Sequence, residues 1–361
     1  MIPNIRKFEE IQVDDSVCLM GAAGFEDRAL AVFEEAQESN FENNIDEGIG
    51  VEYLPFDQRN DINGFTTGME SIGIGGDEIN WITYDTREPD PFTPRFETLL
   101  EEITCDHVLL DISGMSKFLI ILSLSVLAEN DVKVTIFYAE ADVYYPTKEK
   151  FEKEKSESPE EQPAFLTYGV YNIVSARKLS SMAKTGQPLV TIGFPTFNPQ
   201  EMMALVSELP PHHFVSIEGV PRLNKDAWRL EAIRWLNRDL ESYINVEYKR
   251  ASTFDPNEIF ERLNQIYDEY GDAYRLILAP TGSKLQTVGA ALFRRLHSDI
   301  QVVYPVTEEF AESYTSGWKE TWGIELDNID ETIGVSSSEK DGKILELRDK
   351  IKKINDGVSA D

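Results

Sequence analysis

The chain lacks most of the signatures from which an activity is ordinarily read. It has no apolar run of roughly 18 residues or more, the length that marks a membrane span. Its longest apolar helical stretch, Phe118 to Ala128, is short and interrupted by serines. The first residues, Met1-Ile-Pro-Asn-Ile-Arg-Lys-Phe-Glu-Glu10, hold no apolar signal core, so a cytoplasmic protein is expected, with no membrane contact. Basic residues are scarce: 34 Lys and Arg stand against 65 Asp and Glu, a net charge of -31 over 361 residues. Phosphate backbones require clustered cations, so a broad DNA-binding surface is excluded. A small anion held by a few local donors is not, and the acidity also fits solubility alone. There are two cysteines, Cys18 and Cys105. With no CxxC or Cys/His spacing they read as buried small hydrophobes in a reducing compartment, and no metal site is expected. The four histidines, His107, His212, His213 and His297, share no motif. GxxxxGK[ST], a complete GxGxxG, GxSxG and HExxH are all absent, which argues against P-loop hydrolysis, a dinucleotide fingerprint and the common hydrolase sites. No cofactor is expected.

What is present is a repeated strand-to-helix turn. One copy reads His107-Val-Leu-Leu-Asp-Ile-Ser-Gly-Met-Ser-Lys117 and the other Arg275-Leu-Ile-Leu-Ala-Pro-Thr-Gly-Ser-Lys284. Each is a short apolar run, then a hydroxyl residue and glycine, then Ser-Lys opening an apolar helix. The glycine allows close backbone approach, while the hydroxyls, the helix-start N–H groups and the lysine can hold an anion. Ordinary capping, with Ser113 and Thr281 as N-caps, would use the same residues.

Apolar runs alternate with helical patterns throughout, which predicts an α/β fold: two tandem Rossmann-like three-layer units with mostly parallel sheets, related by internal duplication. The expected division is a first unit over 1–147, a charged linker and connecting segment over 148–187, a second unit over 188–335 and a polar helical tail over 336–361. The copies align through Gly21 with Gly219, Val51 with Val246, and Gly114 with Gly282. Their shrinking separation predicts an insertion in the first copy at Gln58 to Pro91. Pro188 to Gly193 reads as a strand added to the second sheet.

Ligands in such folds bind at the carboxyl ends of the strands. That points to Gly24 and Arg28, in the loop after Gly21, and to the two turns. Tyr138, Glu140 and Asp142, with Tyr304 and Glu308, sit at the matching strand ends, as base-stacking groups or as a rim of the core. Tyr314, Trp318 and Trp322 recur in a helical rhythm and read as packing. For catalysis only Asp111 and Glu26 offer themselves, and Ala279 replaces the aspartate in the second copy.

The turns Asp111-Ile-Ser-Gly-Met-Ser-Lys117 and Ala279-Pro-Thr-Gly-Ser-Lys284 resemble the hydroxyl-glycine-x-lysine turn of CRISPR-associated Rossmann-fold (CARF) domains. The first carries one inserted residue. Two such units in one chain look like the related SAVED arrangement. The resemblance implies sensing of cyclic oligonucleotides or nucleotide-like signals in antiviral defence, with ligand contacts at Ser113, Gly114, Ser116, Lys117, Thr281, Gly282, Ser283 and Lys284. No nuclease, protease or DNA-binding effector is recognisable, which implies an effector protein partner. Three readings stay open: a sensor or regulatory subunit for a small anionic or nucleotide ligand, an enzyme on a nucleotide or phosphorylated small molecule using Asp111 or Glu26 with Lys117, and a structural subunit of a defence complex with vestigial sites.

Overall fold

The structure is a computed structural model. It describes residues 2–335 apart from 14–15, 40–44, 104, 158–159, 162, 182–183 and 312–313. The expected helical tail over 336–361 lies outside the described residues.

After a short strand β1 (Arg6–Lys7), the first unit runs β2 (Val17–Ala22), α1 (Ala31–Glu38), β3 (Ile45–Leu54), α2 (Ile62–Ser71), β4 (Asn80–Asp85), α3 (Phe92–Glu102), β5 (His107–Asp111), α4 (Lys117–Glu129) and β6 (Lys133–Tyr144). A connecting stretch holds α5 (Lys148–Glu157), β7 (Thr167–Tyr168) and β8 (Asn172–Val174). The second unit runs β9 (Leu189–Gly193), α6 (Pro199–Glu208), β10 (His213–Val220), α7 (Trp228–Leu236), β11 (Val246–Ser252), α8 (Pro256–Tyr270), β12 (Arg275–Ala279), α9 (Lys284–Leu296) and β13 (Gln301–Val302). Then come β14 (Tyr304–Val306), β15 (Glu309–Phe310), β16 (Thr315–Leu326) and α10 (Ile329–Ile333).

Both units are parallel α/β sheets with the same strand order. The first reads β4-β3-β2-β5-β6 and the second β11-β10-β9-β12-β13. Numbered within each unit, both are 3-2-1-4-5, the doubly wound Rossmann order 3-2-1-4-5-6 without its sixth strand. Alternate strand residues feed opposite faces. In the first sheet Met20, Val108 and Leu110 pack toward α3 and α4, while Leu19 and Leu109 pack toward α1 and α2. In the second, Ile192, Ile217 and Leu278 meet α8 and α9, while Phe214 and Ile277 meet α6. Burial on both faces explains the continuous apolar runs Val-Leu-Leu and Leu-Ile-Leu.

The repeat is real but shifted from the expected alignment. Strands begin at 17, 45, 80, 107 and 133 in one unit and at 189, 213, 246, 275 and 301 in the other. The counterpart of β2 is therefore β9, not β10, and Gly21 matches Gly193 rather than Gly219. Val51 lies in β3 and Val246 in β11, which are not equivalent strands. The near-constant spacing requires no insertion: residues 58–91 carry α2 and β4, matched by α7 and β11. The segment read as an added strand is the first and central strand of the second sheet.

Other expectations also change. Tyr314 immediately precedes β16, and Trp318 and Trp322 lie within it; the strand leaves the second unit and pairs antiparallel with β6 of the first sheet. The charged segment read as a linker forms α5, whose Phe151 is buried against Phe165, Trp228 and Trp235. Cys18 and Cys105 are not separate thiols but a disulfide, because adjacent β2 and β5 bring their Cα atoms to 6.1 Å. No helix among the described residues is long and apolar enough to cross a membrane.

The units join through α4 and α9. Helix α4 is apolar almost all round because it is covered on one side by its own sheet and on another by α9. Leu285, Val288, Ala291 and Leu292 of α9 share its cluster, while Ala290 and Phe293 of the same helix face the second sheet. Leu292→Ala is expected to destabilise the protein by about 2–5 kcal/mol, the usual cost of emptying a buried leucine site. Urea denaturation measures it, and a loss below about 1 kcal/mol would contradict this packing.

Candidate functional site

Because α4 and α9 pack together, the turns that start them open on one cavity. Its volume is about 710 Å³. Gly24, Arg28, Gly114, Ser116, Lys117, Thr281, Gly282, Ser283 and Lys284 all line it. Ser113 does not: it is fully buried, and its hydroxyl accepts from the Ala139 N–H at 2.8 Å. Of the two candidate carboxylates, Glu26 lines the cavity and Asp111 does not. The loops after β2 and β9, the first strands, meet the loops after β5 and β12, the fourth. That is the switch point of each 3-2-1-4-5 sheet, where this topology leaves a crevice.

The turn residues are first of all structural. Ser116 and Ser283, rather than Ser113 and Thr281, are the N-caps, accepting from Leu119 and Gln286. Thr281 instead donates to the Phe194 carbonyl at 2.6 Å. A Cβ on Gly114 would collide with the Ala22 carbonyl oxygen and come to 3.0 Å from Ala29 Cβ, so this glycine is required by the contact of its turn with β2 and not only by a ligand. The Tyr53 hydroxyl pins the same turn, accepting from Ser116 N–H at 2.6 Å and donating to the Gly114 carbonyl at 3.1 Å. Burial pushes the Tyr53 pKa upward, which keeps that proton in place.

The two lysines reach across the unit boundary. Lys284 spends all three of its N–H donors on the first unit: the carbonyls of Ser113 and Met115 (the latter at 2.9 Å) and Glu26 Oε1 at 3.1 Å. Glu26 also holds Arg28 at 2.7 Å and accepts from Thr315 at 2.8 Å. Burial opposes its charge, but Arg28 and Lys284 prevail and hold its pKa at about 2. For Lys284 the balance runs the other way. Burial, with Arg28 and Lys117 nearby, outweighs Glu26 and lowers its pKa to about 8. Glu26 faces two cations, whereas Lys284 has two cations and one carboxylate around it.

Lys117 points the opposite way, toward Tyr304 and Glu201 of the second unit. Glu201 sits in the first turn of α6, after β9, much as Glu26 follows β2. It accepts from Thr196 at 2.6 Å, and burial raises its pKa. Unlike Lys284, Lys117 has no carboxylate within 4.0 Å among the described residues. Burial works against its charge, yet the Glu201 and Glu26 carboxylates and a hydrogen bond with the Tyr304 hydroxyl favour the protonated form.

Arg28 donates to the Tyr138 hydroxyl at 3.2 Å and the Ala139 carbonyl at 3.3 Å. Arg222 pairs with Glu140 at 2.6 Å and lies over Phe254. Arg229 ties the second unit to the carbonyls of Tyr144, Tyr145 and Pro146. Tyr53, Tyr84, Phe194, Phe197 and Phe254 complete an aromatic lining that single-sequence reasoning missed; each lies in or just after a strand and has no local motif. Of the expected rim groups, Tyr138, Glu140, Tyr304 and Glu308 line the cavity and Asp142 does not. Six cations and six carboxylates line it in all, so its wall is electrically balanced in a chain with nearly twice as many acids as bases.

As a catalytic site the arrangement is weak. Burial lifts the Asp111 pKa to about 6, but its carboxylate is behind the wall and accepts from Ser113 N–H at 2.9 Å. Glu26, ionised and paired, is a poor general base near neutral pH. Among the described residues no group of three or more His, Cys, Asp or Glu side chains is placed to hold a metal ion.

No protein-family model matches this chain, and no curated protein matches it. Among solved structures it is similar to Can2 from Sulfobacillus thermosulfidooxidans in complex with cyclic tetra-adenylate, at 16% identity over 35% of this chain and 38% of that one, with a TM-score of 0.24. It is similar to a type III CRISPR defence DNA nuclease activated by cyclic oligoadenylate, at 8% identity over 81% and 65%, with a TM-score of 0.46. It is also similar to CobK precorrin-6A reductase, at 10% identity over 83% and 90%, with a TM-score of 0.21. The chain spans less than two thirds of the length of the first two. None of the three superposes closely enough to assign a function.

The Glu26 cluster has a pH signature. A carboxylate whose pKa falls from 4.5 to about 2 on folding contributes stability that is complete above pH 4.5 and lost as pH drops toward 2. Glu26→Gln is expected to flatten the acid limb of the stability–pH curve in that window. An unchanged limb would contradict the ion-pair assignment.

Proposed function

We propose that this chain binds one nucleotide-like anionic ligand across both turns and serves as a sensor or regulatory subunit. The observation that carries the reading is convergence: two helix N-termini and the Lys117 ammonium, which lacks a carboxylate within 4.0 Å among the described residues, border one aromatic-lined cavity. Helix starts favour anions. With its neighbouring carboxylates beyond 4.0 Å, the Lys117 ammonium is available to pair directly with a phosphate. The half-buried Tyr53 and Tyr304 of the lining are the rings placed to stack on a base. The volume falls within the roughly 300–1,000 Å³ of small-molecule sites.

A ligand built of repeated nucleotides, such as a cyclic oligonucleotide, suits a wall built from a repeated unit. The antiviral setting and a separate effector protein rest on the resemblance of the two turns to CARF and SAVED domains. The enzyme reading has one supporting observation, the lowered pKa of Lys284 beside the cavity. Fates of the ligand separate the two.

Calorimetry with mononucleotides, dinucleotides and cyclic oligonucleotides, followed by chromatography of the recovered ligand, tests the proposal. Binding with the ligand returned unchanged is expected, and Lys117→Met is expected to weaken it about 10- to 100-fold, as for loss of a charge-assisted contact. Binding of none of these ligands contradicts the proposal, and a cleaved ligand replaces it with the enzyme reading.

A further inference from the structure

The two halves of the cavity differ at one position that decides what each can recognise. Ser116 and Ser283 cap α4 and α9, and three residues further on stand Leu119 and Gln286. Gln286 is 2% exposed and borders the cavity. Its Oε1 accepts from Ser283 N–H at 2.9 Å, closing the capping box. That bond also fixes which way the amide is turned: the end facing the N–H must be oxygen, so the other end is the NH2 group. Nε2 is sealed from solvent and has no hydrogen-bond partner. A buried amide donor without an acceptor costs stability, and the neighbouring Thr281 and Ser283 hydroxyls are both satisfied, donating to the Phe194 and Thr253 carbonyls.

We propose that Gln286 is a specificity-determining residue whose Nε2 donates to a hydrogen-bond acceptor of the bound ligand at the start of α9. This rests on the ligand-binding reading above. The donor lies just behind the wall made by Gly219, Thr253 and the second turn. A Cβ on Gly219 would stand 2.7 Å from the Thr253 methyl and 3.5 Å from Nε2, so the amide lies under Gly219 and beside that methyl group. Contact follows seating of the ligand, with the amide tipping outward past Gly219. Helix α4 carries Leu119 at the matching place and cannot make this bond. The half of the ligand at α9 must therefore present an acceptor, and the half at α4 need not. The site reads a near-repeated ligand in one orientation.

The acceptor is either a phosphate oxygen or a base or sugar atom, and two probes separate these: inorganic pyrophosphate and a nucleoside without phosphate. Gln286→Glu keeps the capping box, since glutamate is a normal partner there, but exchanges the donor for a carboxylate. Gln286→Met removes the donor without adding charge and guards against a purely electrostatic effect. Melting temperature reports that each variant folds. Affinity for one or both probes is expected to fall at least about tenfold in Gln286→Glu, and in the same direction in Gln286→Met. A loss confined to pyrophosphate assigns a phosphate oxygen, and a loss confined to the nucleoside assigns a base or sugar acceptor. Wild-type binding that both variants retain overturns this inference and leaves the ligand-binding reading in place. Wild type that binds neither probe overturns this inference as well, while the ligand-binding reading falls only if the intact nucleotides also fail to bind.

Discussion

The contact between α4 and α9 is the constraint on which the rest depends. Each helix starts at the fourth strand of its own sheet, so each begins where a Rossmann crevice opens. Packed against their own sheets alone, they would leave two separate crevices. Leu285, Val288, Ala291 and Leu292 instead join the α4 cluster, which sets the two helix starts side by side. One cavity replaces two, and its wall is contributed by both units.

That geometry explains the crossed electrostatics. A lysine at the first position of each helix points over the boundary. Lys284 finds Glu26 and two carbonyls and becomes a clasp between the units. Lys117 finds hydroxyls and a more distant Glu201, and keeps capacity for an anion. The same sequence feature thus serves cohesion in one copy and remains open in the other. Residues that look interchangeable in two similar turns are separated by their partners, and those partners lie in the opposite unit.

The legible part of the molecule was its local chemistry. A short apolar run followed by Ser-Gly or Thr-Gly and Ser-Lys specifies a buried strand, a tight turn and a capped helix from neighbouring residues alone. The pairing of strands was less accessible. Val-Thr-Ile-Gly193 and Val-Ser-Ile-Glu-Gly219 are near-identical as patterns, so only the sheet shows that the first is the counterpart of β2. Tyr314, Trp318 and Trp322 recur every four residues, a spacing that keeps side chains on one face of a helix and equally of a strand. Their position beside β6 decides the matter, and it lies far away in sequence. The disulfide, Tyr53 against the first turn, and Glu201 facing Lys117 are invisible for the same reason: each joins segments that only the completed fold brings together.

The central claim is that both turns belong to one site. Its most direct measurement is the stoichiometry of saturable ligand binding per chain, determined by titrating a known protein concentration well above the dissociation constant. A shared cavity predicts one ligand per chain, with Lys117→Met and Thr281→Val both weakening that single isotherm. Two ligands per chain, each lost separately on altering one turn, would contradict the account.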